Sequence, residues 1–402
     1  MCVVDGELIA GEEIMDTLRL AAERAAQQKY KKIIVFSVLL LLGMNYLLFS
    51  FFRIPGLQNY VRLGIAAVMA LHCLLRLLAK DLQRKDFVLM IGAAALLITD
   101  GAITFNLTFL LVLTIVLRSV SFEDLLGHAT TASTILLMVV LVSLTLGVVD
   151  NSLYSVGDRH RITMGFANVN GTSVFAFSIM LIFFLSVKKV QGTFSWVYIA
   201  SVLVVYILTN SRTMLMAAVA LFVAWLLLER LPKRTARMVV FAVAAVMFVF
   251  PFIWGLPFLS NSALNRLLSI RPHYYYEYIK NNPLPFFLFG GSKAVEIDNT
   301  YLLLLYNCGI MGYAAIAAIT VVALDSMVRG DRYREVCFCI AMLVYGQLEG
   351  TLVRPEILCV PVFWICIIKG FTKNDLIITA KDVGRWITLR YHNFLKGKNK
   401  EL

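Results

Sequence analysis

Arginines set the chemistry this chain could do. Arg159, Arg161, Arg212, Arg266 and Arg271 stand in segments that separate long apolar runs. A guanidinium is a planar fork that donates parallel hydrogen bonds, and phosphate oxygens fit that fork well. Arg159, His160 and Arg161 form a compact cationic group just before one apolar run. Arg212 stands alone between VYILTN and TMLMAAVALF. An arginine at membrane depth costs about 2.5–3.5 kcal/mol on insertion scales. It either snorkels to an interface or faces a cavity and binds an anion. Asn210, Ser211 and Thr213 beside it add hydrogen-bonding groups, which favours the cavity.

A second set of polar residues accompanies the arginines. Asn168 and Asn170, two apart in GFANVNG, suit either a cavity lining or a helix cap. The segment after 257 carries Arg266 and Arg271, then His273 and Glu277, whose four-residue spacing puts them on one face of a short helix. Asp298 opens the next apolar run, as a helix cap or as a base for an acceptor hydroxyl. Metal-site spacings of His, Cys, Asp or Glu are absent, so no cofactor or metal is expected. No G-x-x-x-x-G-K-[ST] stretch occurs either. Chemistry without a nucleotide needs an already activated substrate. A lipid-linked diphosphate is one, since its leaving group departs as an anion that arginines can stabilise.

These residues need a scaffold, and composition supplies it. Of 402 residues, 60% are hydrophobic and 15% charged, against roughly 45–50% apolar in soluble chains. The reading is an all-α polytopic integral membrane protein. About 20 apolar residues cross a bilayer, and twelve candidate spans follow: 33–52, 61–79, 86–104, 106–120, 129–149, 166–187, 194–209, 211–228, 238–256, 299–325, 335–349 and 356–369. The layout is a cytoplasmic N-terminal segment 1–32, a transmembrane domain 33–369 and a basic cytoplasmic tail 370–402. One long external loop covers 257–298, with Tyr274, Tyr275, Tyr276 and Tyr278 suited to the headgroup level. QLEGTLVRPE, 347–356, reads as a further external segment. No secretory leader is visible at the N-terminus. The net charge of +12 reflects basic inner loops and tails, so nucleic acid is not an expected partner. Most of the 37 Lys and Arg residues fall on the side that holds both termini, which makes that side cytoplasmic. Seven cysteines form no disulfide framework.

Four pieces in order now resemble a known group. They are Arg161, Gly165, Phe166, Asn168 and Asn170; then Ser211-Arg212-Thr213; then LNRLLSIRPHYYYEYIKN with Leu288-Phe289-Gly290; then Asp298-Asn299-Thr300-Tyr301-Leu302 with Cys308-Gly309-Ile310-Met311-Gly312. The set resembles the O-antigen polymerase and O-antigen ligase superfamily (Wzy and WaaL types). It is closest to the capsule or exopolysaccharide repeat-unit polymerases of Gram-positive bacteria. The detailed match spans about 160 to 315. Val169 stands where the family often has Pro. Asp298 stands where ligases usually carry His, which argues for the polymerase branch.

The resemblance implies a GT-C-type glycosyltransferase fold in the bacterial cytoplasmic membrane. It implies a metal-independent enzyme that joins undecaprenyl-diphosphate-linked oligosaccharide repeat units on the outer face. Arg212 and Arg271 then bind the donor diphosphate, helped by Arg161 and Arg159, and Asp298 is the candidate base. Asn168, Asn170, Ser211, Arg266, His273, Glu277, Asn299 and Tyr301 are the further substrate-binding candidates. Partners expected beside the lipid-linked oligosaccharide are the lipid bilayer, a flippase and a chain-length regulator. A glycan ligase and a flippase of the lipid-linked unit are the alternatives.

Overall fold

The computed structural model describes residues 4–79, 81–97, 102–156, 159–187, 192–254, 256–257, 265, 268, 270–282 and 297–373. Arg266 and Leu288-Phe289-Gly290 lie outside them, as does the tail beyond 373. The side chains of Arg159 and His160 also lie outside what is described.

The described chain is almost wholly helical. In order it runs α1 (Val4–Ser50), α2 (Pro55–Leu78), α3 (Arg84–Leu97), α4 (Ala102–Leu117) and α5 (Phe122–Thr145). A hairpin of β1 (Leu153–Val156) and β2 (Arg159–Ile162) precedes α6 (Val169–Ser186), α7 (Gly192–Thr209), α8 (Arg212–Leu228) and α9 (Lys233–Ile253). Then come α10 (Arg271–Asn281), α11 (Thr300–Arg329), α12 (Tyr333–Gly346) and α13 (Cys359–Lys373). Over the described residues, each of the twelve apolar runs falls mostly on helix.

Among the described residues six helices are long and apolar enough to cross a bilayer: Ala21–Ser50, Gly56–Leu78, Phe122–Thr145, Val169–Ser186, Lys233–Ile253 and Thr300–Arg329. Large apolar side chains such as Leu63, Ile91, Trp196, Ile207 and Phe241 point outward. In water that surface would drive association; here it faces lipid. The chain is a multi-pass membrane protein.

Two expectations about boundaries change. Residues 4–32 continue into the first span as one helix, so α1 has no break at 32/33. QLEGTLVRPE is not a solvated loop. Gln347, Leu348, Glu349, Thr351, Leu352, Val353 and Glu356 are all buried, in a non-helical strap between α12 and α13. Irregular backbone at membrane depth is tolerated only inside protein or along a cavity.

The centre is α12, with Val336 through Leu343 buried. An all-round apolar helix belongs inside, and α8, α11, α13, α6 and α9 pack around it. At the periphery α1 packs on α2 and α5. Tight turns rely on left-handed residues. Asn210 (φ 48) links α7 to α8, a conformation asparagine tolerates. Gly165 (φ 83) sits where a Cβ would fall 2.6 Å from Phe51 Cε2 and 2.8 Å from Val149 Cγ2, so both sterics and backbone demand glycine.

Candidate functional site

Helix starts build the site. Ser211 caps α8, its side chain accepting from Met214 N, which puts Arg212 at the first helical position. Pro272 near the start of α10 presets the helical φ, and Arg271 is that helix's first residue. Asn168 caps α6 through Gly171 N at 2.7 Å, so capping is what its side chain does. Asn170 follows in the first turn. Asn299 caps α11 through Leu302 N at 3.0 Å. The cap of α11 is therefore Asn299 and not Asp298, whose carboxylate is left for other work.

The first turns of α6, α8 and α10 meet at one cavity. Its volume is about 200 Å³, and its walls are Arg161, Asn170, Asn210, Ser211, Arg212, Thr213, Leu268, Arg271 and Leu348. Three arginines from three separate stretches of sequence thus share one hollow. Helix N-termini carry positive partial charge and free N–H groups, so their convergence adds to the same field. Arg161 reaches the cavity from β2, and its Nε donates to the Thr209 carbonyl at the end of α7, at 2.7 Å. That carbonyl lacks an intrahelical partner, so Arg161 also closes α7.

Arg271 is the best-defined of the three. Nη1 donates to Thr213 Oγ1 at 2.8 Å and Nη2 to Glu349 Oε1 at 2.8 Å. Asp298 Oδ2 lies 3.8 Å from the same Nη2. Side-chain exposure separates the carboxylates, at 9% for Glu349 and 57% for Asp298. Burial pushes the Glu349 carboxyl above its usual range, against the downward pull of Arg271. Desolvation alone would lower Arg271, but Glu349, Tyr275 and Asp298 outweigh it and hold the guanidinium above its ordinary value. Arg271 therefore stays charged under all ordinary conditions.

Glu349 has no counterpart among the residues singled out from sequence. An acid in an apolar stretch is itself a signal, because a buried carboxylate is expensive and marks function. The strap holds it in place by its backbone. Thr300 Oγ1 donates to Glu349 O at 2.8 Å, and Asn299 Nδ2 donates to Gln347 O at 2.7 Å. Tyr275 Oη donates to Asp298 O at 2.6 Å, pinning the approach to α11 against α10. Burial drives the Tyr275 hydroxyl far above the usual phenol range, so it remains a donor.

Several expected contacts are corrected by this geometry. Tyr301 is 1% exposed and donates to Leu343 O at 2.8 Å, so it packs the core and does not reach the cavity. Asn299 is wholly buried and serves the cap and the strap. His273 and Glu277 both lie on α10 but line no wall of the cavity. The backbone N–H of His273 donates to Asn265 Oδ1 at 3.1 Å, and Glu277 sits 3.9 Å from Lys280. Among the described residues no group of three His, Cys, Asp or Glu could hold a metal ion. What the cavity can do is bind a compact anion beside one exposed and one buried carboxylate. No protein-family model and no curated protein matches this chain.

Proposed function

We propose that the protein is a membrane glycosyltransferase whose donor is a lipid-diphosphate-linked glycan. In this reading it joins undecaprenyl-diphosphate-linked oligosaccharide repeat units on the outer face of the bacterial cytoplasmic membrane. The chain crosses twelve times in a GT-C-type arrangement, with both termini cytoplasmic. The observation that carries the reading is the cavity shared by Arg161, Arg212 and Arg271. Three guanidiniums against the buried Glu349 and the exposed Asp298 carboxylates leave the hollow net positive. A diphosphate esterified at both ends carries two negative charges, which such a hollow attracts.

The roles follow from position. Arg212 and Arg271 hold the diphosphate, and Arg161 closes the same hollow. The bond between the anomeric carbon and the diphosphate oxygen breaks, and its electron pair leaves with the diphosphate. The guanidiniums stabilise that charge in place, which is where electrostatic catalysis acts. An acceptor hydroxyl oxygen bonds to the anomeric carbon, and its proton passes to a carboxylate. Asp298 suits that step better than Glu349. It is the more exposed, and at 3.8 Å it is not hydrogen-bonded to Arg271, whereas Glu349 is tied to that arginine at 2.8 Å.

The test is polymer length in cells that carry Arg212→Ala or Arg271→Ala, with membrane levels of each variant measured alongside. The reading expects loss of long polymer from both. Full-length polymer from both variants would remove the diphosphate role.

A further inference from the structure

A second cationic hollow lies at the other end of the bundle. α8 leads away from Arg212 for 17 residues, about 25 Å at 1.5 Å per residue, before α9 turns back from Lys233. At that turn a groove of about 500 Å³ opens between α9 and α11, lined by Arg234, Arg237, Met238, Phe241, Val321, Val322, Asp325 and Arg329. Arg234, Met238 and Phe241 recur at helical spacing on α9, as do Val321, Asp325 and Arg329 on α11. Each set therefore shares one face.

The groove is divided in chemistry. Its rim is charged. Arg237 forks onto Asp325, Nε to Oδ1 at 2.6 Å and Nη2 to Oδ2 at 3.3 Å. Arg329 Nε donates to the same carboxylate at 2.8 Å. Arg234 makes no ion pair among the described residues and is exposed. Two guanidiniums thus share one carboxylate while a third lines the same groove, and together their donors outnumber its acceptor sites. The wall toward the membrane interior is apolar, and Met238 and Phe241 are 57% and 59% exposed there. A soluble anion needs the rim alone. A molecule with an anionic head and hydrocarbon chains uses both parts, and basic pockets between membrane helices are known to take such heads.

We infer that this groove binds an anionic glycerophospholipid of the bilayer, its phosphate between Arg234 and the Arg237–Arg329 pair and its chains along Met238 and Phe241. The inference stands apart from the diphosphate cavity, since it concerns the opposite membrane face and reads out as binding.

The test titrates the detergent-purified full chain with phosphatidylglycerol or phosphatidylcholine and counts bound lipid by native mass spectrometry. Phosphatidylglycerol should bind several-fold more tightly. Arg234→Gln should weaken it about fivefold, one surface charge, and leave phosphatidylcholine unchanged. Asp325→Asn removes the competing carboxylate and should tighten phosphatidylglycerol by about the same factor. Arg234 has no internal ion pair to lose, so its variant keeps the test open should Asp325→Asn fail to fold. Equal binding of the two lipids, or unchanged affinity in Arg234→Gln, would overturn the proposal. Inorganic phosphate at millimolar level that displaces phosphatidylglycerol fully would overturn it in favour of a free-anion site.

Discussion

Removing either partner of the Arg271–Glu349 pair should destabilise the protein, but not equally. Both side chains are largely withdrawn from solvent, at 16% and 9% exposure. Breaking a buried pair from one side costs about 3–5 kcal/mol, because a charge is left uncompensated. Glu349→Ala leaves Arg271 with Thr213 and with Asp298 at 3.8 Å. A guanidinium has no neutral form at working pH, so this variant should lose about 3 kcal/mol, the low end of that range. Arg271→Ala leaves Glu349, which has an escape: it can take up a proton. Burial already lifts its pKa, and each unit of lift lowers the cost of protonation at neutral pH by about 1.4 kcal/mol. Removing Arg271 also removes the main influence that lowers that pKa.

The sign of the pH effect separates the two variants. In Arg271→Ala the folded pKa of Glu349 lies above its unfolded value. Stability is then fully present below the unfolded pKa and lost as pH rises through the folded one. Thermal melting in neutral detergent, from pH ~5 to ~8, should show Arg271→Ala recovering toward the acid end, while Glu349→Ala stays low throughout. The double variant Arg271→Met/Glu349→Leu should cost less than the two single losses combined. Equal, pH-independent losses in the single variants, with strict additivity in the double, would refute the buried-pair reasoning.

Three further outcomes are expected. Gly165→Ala should cost about 2–4 kcal/mol, from a left-handed φ and from overpacking against Phe51 and Val149; chemical or thermal melts check this. Arg212→Lys keeps the charge and loses the planar fork, so affinity for a diphosphate diester should fall about tenfold, the loss of one charge-assisted hydrogen bond, as read by calorimetry. Affinity for that diester should also rise as pH falls through the Glu349 range, because a protonated Glu349 no longer competes for Arg271, and Glu349→Gln should flatten the dependence. A diester serves better than inorganic pyrophosphate there, since its own charge does not change in that window.

The helices were readable because apolar run length is local. It places helix over most of each of the twelve runs, and Asn168 falls at a cap, one of the two roles its type and position suit. Side-chain direction was not readable for the fourth motif piece. Asn299 is the cap in place of Asp298, and that one-residue difference moves Tyr301 into the core and Asp298 toward Arg271. The pairing of Arg271 with Glu349 joins residues 78 apart, and nothing local specifies it. The burial of the strap was not legible, because its Gln, Glu, Arg and Pro lower its hydropathy and suit a solvated segment. In the fold Gln347 and Glu349 turn their side chains to internal hydrogen bonds, while Arg354 stays exposed. The β1–β2 hairpin also escaped notice, since 150–165 has little alternation of apolar and polar residues.

The strap explains why Asp298, Asn299 and Thr300 stand together. Three guanidiniums and several helix N-termini at one hollow repel each other when no anion is bound. A carboxylate must offset them, and it must come from a segment that does not itself end in another positive helix start. The non-helical strap meets that need, but its carbonyls then require donors inside the protein. Asn299 and Thr300 supply them, to Gln347 and Glu349. Asp298, one residue earlier, faces out toward Arg271. One short piece of sequence thus has two faces: Asp298 approaches Arg271 at 3.8 Å, while the next two residues fix the acid that is paired with that arginine. Substitution of Asn299 should therefore act on the site through Glu349 and Arg271, without any contact between Asn299 and a bound anion.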